Sequence, residues 1–222
     1  MTLRALIFDF DGLIVDTESS SLAAVQEAYR RHGHDLPPEL WQRCVGSIVD
    51  PYDHLQRLVG PGVDLAPVRE EVRIRKHAAD ARLGPCAGVT ELIGAAVAAG
   101  LRLAVASSSS RRWVEGHLQR IGALEPFHAI RCRDHVRQTK PAPDVYLAAL
   151  DGIGVSASQA VAFEDSPNGS QAAKAAGIYT VAVPNRVTRG WAFDHADRVI
   201  DSLAGVTLQA VRGWLAAASA PA

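Results

Sequence analysis

Asp9 and Asp11 stand two residues apart in "DFDGLIVDTE" (9–18), directly after the apolar run Leu6, Ile7, Phe8. Asp16 and Glu18 follow, giving four acids in ten residues, and after Arg4 the next basic residue is Arg30. A carboxylate at the edge of a hydrophobic core is costly unless something pairs with it. The partner must therefore be a cation from elsewhere in the fold or a bound metal ion. With only oxygen ligands on offer, a hard ion such as magnesium is the natural choice. A carboxylate ionised at neutral pH is also a nucleophile. Two of them spaced by two share a face of an extended chain, so one can attack phosphorus while the other protonates a leaving alcohol.

Phosphoryl transfer also needs an anion cradle and a fixed positive charge, and the sequence offers both. "LRLAVASSSS" (101–110) ends in Ser107, Ser108, Ser109 and Ser110, whose hydroxyl and backbone donors at the mouth of a helix suit phosphate oxygens. Ser109 and Ser110 equally suit the cap of that helix. "TKPAPDVY" (139–146) sets Lys140 before two stiffening prolines, just ahead of a helix; its ammonium can offset the acids and hold a phosphoryl group. "AVAFEDS" (160–166) adds Glu164 and Asp165.

These groups end four apolar, largely β-branched runs: 3–11, 101–110, 160–166 and 178–185. Such runs mark strands buried on both faces of a parallel sheet. Helical stretches at 110–122, 143–154 and 166–177 alternate with them, each closing on a glycine. The expected fold is α/β, a doubly wound and mostly parallel sheet, in which ligands bind beyond the carboxyl ends of the strands. Residues 17–82 break the alternation with four helical segments and no strand, and "GPCAGV" (84–89) reads as the return linker. The expected organisation is an α/β core from 1–16 and 83–222 with a helical cap from 17–82. The Ala-rich tail "WLAAASAPA" reads as the frayed end of a last helix.

Composition narrows the setting. The 222 residues are 48% hydrophobic, and 23 basic against 24 acidic residues give a net charge of −1, without the basic footprint of a nucleic-acid binder. No apolar run approaches the roughly 20 residues of a membrane span, and the first one ends at Asp9, unlike a signal peptide. Cys44, Cys86 and Cys132 lack metal-ligand spacing and read as reduced thiols in a cytoplasmic protein.

"DFDGLIVDTE", the serine after "LAVA", "KPAPDVY" and "FEDS" match in order and spacing the four motifs of the haloacid dehalogenase superfamily. The helical insertion resembles the small cap of the branch holding β-phosphoglucomutase and sugar-phosphate phosphatases. The resemblance implies a Rossmann-like core and a magnesium-dependent phosphatase acting on a small phosphorylated metabolite; the chain is expected to be a monomer. It implies Asp9 as nucleophile, Asp11 as general acid and then base, and Ser107 and Lys140 on the phosphoryl oxygens. Ser108 and Ser109 would add substrate contacts, and Gly12 would let the backbone turn beneath the site. Magnesium would take Asp9, the backbone carbonyl of Asp11, and Asp165, with Glu164 direct or through water.

A mutase is the alternative within the branch. The β-phosphoglucomutase pattern carries a histidine four residues after the Thr of "DT", where this chain has Ser21. It carries an arginine three residues after a cap glycine; if that glycine is Gly46, the position here is Val49. Both differences favour water as acceptor, although "RIRKH" (73–77), otherwise a solvated face, could supply charge from elsewhere. An alternative of another class is a phospho-accepting receiver domain, but receivers are about half this length and lack a helical insertion. Asp16 and Thr17 are expected to shape the hinge into the cap, and Trp113 to lie in the core.

Overall fold

The computed structural model describes residues 2–218, so the end of the Ala-rich tail, 219–222, lies outside the described residues. Six strands form one sheet: β1 (Ala5–Phe8), β2 (Arg102–Ala106), β3 (Ala129–Arg131), β4 (Ala160–Glu164), β5 (Tyr179–Ala182) and β6 (Arg198–Val199). Their order is β3-β2-β1-β4-β5-β6, and every pairing is parallel. The chain winds outward from β1 to β3, then returns to place β4 on β1's other side. That reversal between β1 and β4 is where a doubly wound sheet opens a crevice.

Alternation along the strands sorts residues by size. Leu6, Phe8, Leu103, Val105, Val161 and Phe163 face one side, against α5 (Val89–Ala98), α6 (Arg111–Arg120) and α9 (Leu208–Ala217). Ala5, Ala104, Ala106, Ala160 and Ala162 face the other. Their small side chains let α7 (Asp144–Ile153) and α8 (Pro167–Ala175) lie close to the sheet. Both faces are covered, which is why the strands read as continuous apolar runs.

Between β1 and α5 come α1 (Thr17–Arg31), α2 (Pro38–Cys44), α3 (Pro51–Val59) and α4 (Ala66–Asp80), with no strand among them. They share a hydrophobic cluster of their own, built on Val25, Tyr29, Leu40, Trp41 and Leu55, onto which Val187 and Trp191 pack from beyond β5. The chain leaves and re-enters the sheet layer side by side: the Cys86 backbone N–H donates to the Ile14 carbonyl at 2.8 Å. Asp16 caps α1 by accepting from the Ser19 N–H, satisfying one of the free donors of the helix's first turn. Among the described residues no helix is long and apolar enough to cross a membrane.

Two strands have no counterpart among the apolar runs. β3 has three residues, and β6 has two exposed ones, Arg198 and Val199; neither is long or apolar enough to stand out from a loop.

Candidate active site

Asp9 begins where β1 ends, and its N–H still donates to the Phe163 carbonyl of β4 at 3.0 Å. Lys140 arrives from just before α7. Its Nζ lies 2.5 Å from Asp9 Oδ1 and 2.6 Å from Glu164 Oε1, and the side chain is 1% exposed. Tyr146, in the first turn of α7, donates its hydroxyl to Glu164 Oε1 at 2.5 Å, while Ser166 Oγ reaches Oε2 at 3.2 Å. Glu164 is thus held by three donors and fixes the lysine between two carboxylates.

Asp9, Glu164 and Asp165 bring carboxylate oxygens within 4.8 Å of one another, all buried. One ammonium against three carboxylates leaves negative charge in excess. Burial pushes Asp9 up to about 7, against the pull of Lys140. Burial, then the charges of Asp9 and Glu164, raise Asp165 well above the usual carboxylate range. Lys140 is pulled down by burial, but Asp9 and Glu164 outweigh it and leave it above its ordinary value. Oxygen ligands, close spacing and uncompensated charge together fit a small divalent cation.

Gly12 makes room for this cluster. Its φ is +84°, and a Cβ there would run into the Asp165 carboxylate and, at 2.5 Å, the Asn185 amide. Asn185 Nδ2 holds Asp165 Oδ2 at 2.6 Å. Gly12→Ala is therefore expected to cost about 1–2 kcal/mol in backbone strain alone. For a chain of this size calorimetry should show a melting temperature lower by roughly 2–8 °C. An unchanged melting temperature would contradict this packing.

Asp11 faces the same cavity but outside the acid cluster. Its Oδ1 accepts from Thr17 Oγ1 at 2.7 Å and from Trp113 Nε1 at 2.8 Å, and its Oδ2 accepts from Ser109 Oγ at 2.6 Å. Ser107 is buried, and its Oγ accepts from the Ser109 N–H at 3.0 Å. Ser108 Oγ donates across to the Gly46 carbonyl at 2.9 Å, tying the loop after α2 to the sheet layer. Ser110 is the helix cap, accepting from the Trp113 N–H.

The cavity, about 530 Å³, is lined on one side by α4. Arg73, Lys76 and His77 of "RIRKH" line it, so this run is not merely a solvated face. Glu18 lines it too; burial and the Asp11 charge push it up to about 8, with Lys76 opposing. The structure thus brings together Asp9, Asp11, Ser107, Ser108, Ser109, Lys140, Glu164 and Asp165, with Gly12 beneath. Sequence reasoning missed Tyr146 and Asn185 as supports, although Tyr146 closes the "KPAPDVY" motif and Asn185 ends the apolar run 178–185. It gave Thr17 a hinge role where the structure adds a hydrogen bond to Asp11. Trp113 is half-buried and packs on the core as expected, but it also faces the cavity. Its place in the first turn of the helix after the serine loop, at the crevice, was the signal available.

The sequence profile of the haloacid dehalogenase-like hydrolases matches residues 6–183. YhcW of Bacillus subtilis is 40% identical over 211 residues, covering 93% of this chain and 94% of that one. An N-acetylmuramic acid 6-phosphate phosphatase of Pseudomonas aeruginosa is 32% identical, covering 82% of each. Among solved structures, a mutant CbbY of Rhodobacter sphaeroides in complex with xylulose-1,5-bisphosphate superposes with a TM-score of 0.75 at 31% identity, covering 92% of this chain and 96% of that one. Family match and relatives together make this α/β protein a phosphoric monoester hydrolase. The chain belongs to the haloacid dehalogenase-like hydrolase family.

Proposed function

We propose that this phosphoric monoester hydrolase is a magnesium-dependent phosphatase of a small sugar phosphate or similar metabolite, working through an aspartyl-phosphate on Asp9. The observation that carries the reading is the buried Asp9 carboxylate at the switch point of the sheet, held by Lys140, with Asp11 in the same cavity. An Asp9 oxygen attacks phosphorus and the ester P–O bond breaks, while Asp11 passes a proton to the departing alcohol. Asp11, now a carboxylate, takes a proton from water; the water oxygen attacks phosphorus, the bond to Asp9 breaks and phosphate leaves. Lys140, Ser107 and the donors of the serine loop hold the phosphoryl oxygens as charge builds on them. Asp9, Asp165 and the Asp11 backbone carbonyl would hold magnesium, which when bound neutralises phosphate charge. Glu164, already taken by Lys140, Tyr146 and Ser166, supports them from behind or through water.

The N-acetylmuramic acid 6-phosphate phosphatase and the CbbY complex, named for or holding phosphorylated sugars, support the substrate class. We read residues 17–82 as a cap over a core of 1–16 and 83–222, because the four helices share a hydrophobic cluster of their own. The test is phosphate release, with magnesium, from a panel of glucose 6-phosphate, ribose 5-phosphate, glycerol 3-phosphate, 2-phosphoglycolate and xylulose 1,5-bisphosphate. Release from none would overturn the proposal.

Asp165→Ala is expected to raise the magnesium needed for half-maximal activity at least about tenfold, because a site with few protein ligands loses an anionic one. Magnesium should also raise the melting temperature of the wild type more than that of the variant. Equal responses of both proteins would count against Asp165 as a ligand.

One observation favours a mutase as the second reading: α4 presents Arg73, Lys76 and His77 to the cavity, where they could grip a second phosphate. Against it, Ser21 spends its hydroxyl on the Thr17 carbonyl and Val49 offers no charge. The two readings part on β-glucose 1-phosphate with magnesium and a trace of glucose 1,6-bisphosphate. Glucose 6-phosphate forming much faster than free phosphate would establish the mutase.

A further inference from the structure

Trp113 takes no part in the steps above, yet its indole joins three separate elements. The edge Nε1–H donates to Asp11 Oδ1, in the loop after β1, at 2.8 Å. Lys76 Nζ of α4 sits over the ring face, 4.2 Å from its centroid. His77 of α4 stands edge-on at 5.2 Å, and His117 of α6 packs at 4.2 Å. Lys76 is anchored in turn by the buried Asp80 at 2.9 Å, whose other oxygen accepts from Ser20 of α1 at 2.5 Å.

We propose that Trp113 is a positioning residue that fixes which oxygen of Asp11 serves as the proton donor. The proposal rests on the role given to Asp11 under the proposed function. An indole N–H donates and has no lone pair to accept with, whereas a hydroxyl does either. The oxygen facing Trp113 must therefore offer a lone pair. Thr17 also donates to that oxygen, so Oδ1 is the anchored, acceptor-only end of the group. Among the described residues the hydrogen-bond partner of Oδ2 is the Ser109 hydroxyl, which can rotate and accept. The proton passed to the leaving alcohol accordingly sits on Oδ2. Thr17 and Ser109 could exchange donor and acceptor roles by rotating; Trp113 cannot, and so it is the group that makes the two oxygens unequal. A cation on the ring face draws electron density from the indole and strengthens its edge as a donor. Lys76 thereby links the placement of α4 to the orientation of Asp11.

Trp113→Phe keeps an aromatic face for Lys76 and the two histidines and deletes the donor. The measurement is kcat/KM on two esters: p-nitrophenyl phosphate, whose leaving group departs as a stable anion, and the fastest alkyl ester of the panel, whose leaving group needs the proton. This ratio covers the steps up to phosphoryl transfer, where Asp11 acts as acid. The alkyl ester should lose about 10²-fold, in the range of a misplaced general acid. The loss on the nitrophenyl ester should be at least about tenfold smaller. Equal losses on both esters would show that the ring only shapes the cavity and would overturn the proposal, as would no loss on either. If the phenylalanine variant fails to fold, β-(3-benzothienyl)alanine at position 113 keeps the bicyclic shape with sulfur in place of N–H, and the same split is expected. A wild type that releases phosphate from no ester would instead sink the phosphatase reading, and this proposal with it.

Discussion

Asp9→Asn is expected to abolish turnover, with kcat lower by at least about 10⁴-fold, while the fold persists. Among the buried acids of the cluster, Asp9 is the one that ends β1 and faces Lys140 from the cavity side. An amide of the same shape cannot form the acyl-phosphate, and losing a nucleophile on a reaction this slow without catalysis removes many orders of magnitude. Stability should move the other way. The folded value of Asp9, about 7, lies above its ordinary 3.8. In chelator the wild type therefore loses stability as the pH rises from about 4 through about 7. Asparagine does not ionise, so the variant lacks that loss. In EDTA it should melt at or above the wild type at pH 8, with the advantage shrinking toward pH 5. A variant retaining a tenth of the activity would remove Asp9 from the nucleophile's role.

Lys140→Met is expected to slow turnover about 10²–10³-fold, the range for removing one preorganised group from a charged transition state. Methionine has nearly the volume of lysine, so the change isolates the charge. The ammonium is held above its ordinary value by Asp9 and Glu164, so its contribution to folding is complete at every pH below its unfolded value. What varies with pH is the group left behind. At pH 5.5 Asp9 can take a proton and the pocket stays close to neutral. At pH 8.5 the carboxylates remain buried without a counter-charge, which is the costly case. The gap in melting temperature between wild type and variant should widen across that interval in metal-free buffer. A large gap independent of pH, with less than a tenfold change in rate, would make Lys140 a structural residue alone.

The acids were legible in the sequence because each ends a run that could only be a buried strand. Asp9 and Asp11 after Leu6–Phe8, and Glu164 and Asp165 after Val161–Phe163, announce both the sheet and its ligand-binding edge. What stayed hidden depends on who meets whom in space. Tyr146 is an ordinary core tyrosine on α7 until Glu164 is seen beneath its hydroxyl. Asn185 is one polar residue after a proline until it is found holding Asp165. Trp113 looks like packing, and is packing on one face; only the chain's return past β1 brings its edge to Asp11. The short strands β3 and β6 are strands because longer neighbours offer them hydrogen bonds, a property absent from their own residues.

The pairing of β1 also governs how the chain reaches this structure. Ala5 lies beside Arg102 on one edge and Ala160 on the other, so the strand that leads to Asp9 is synthesised long before either neighbour. The helices of 17–80 pack among themselves over short sequence distances, whereas β1 must wait, apolar and unpaired, until Arg102–Ala106 has been made, and stays open on its other edge until Ala160–Glu164 follows. Contacts so distant in sequence slow folding and expose strand edges while it proceeds. The placement that sets Asp9 at the centre of the sheet thus leaves its strand open to edge-to-edge association while the chain is being made.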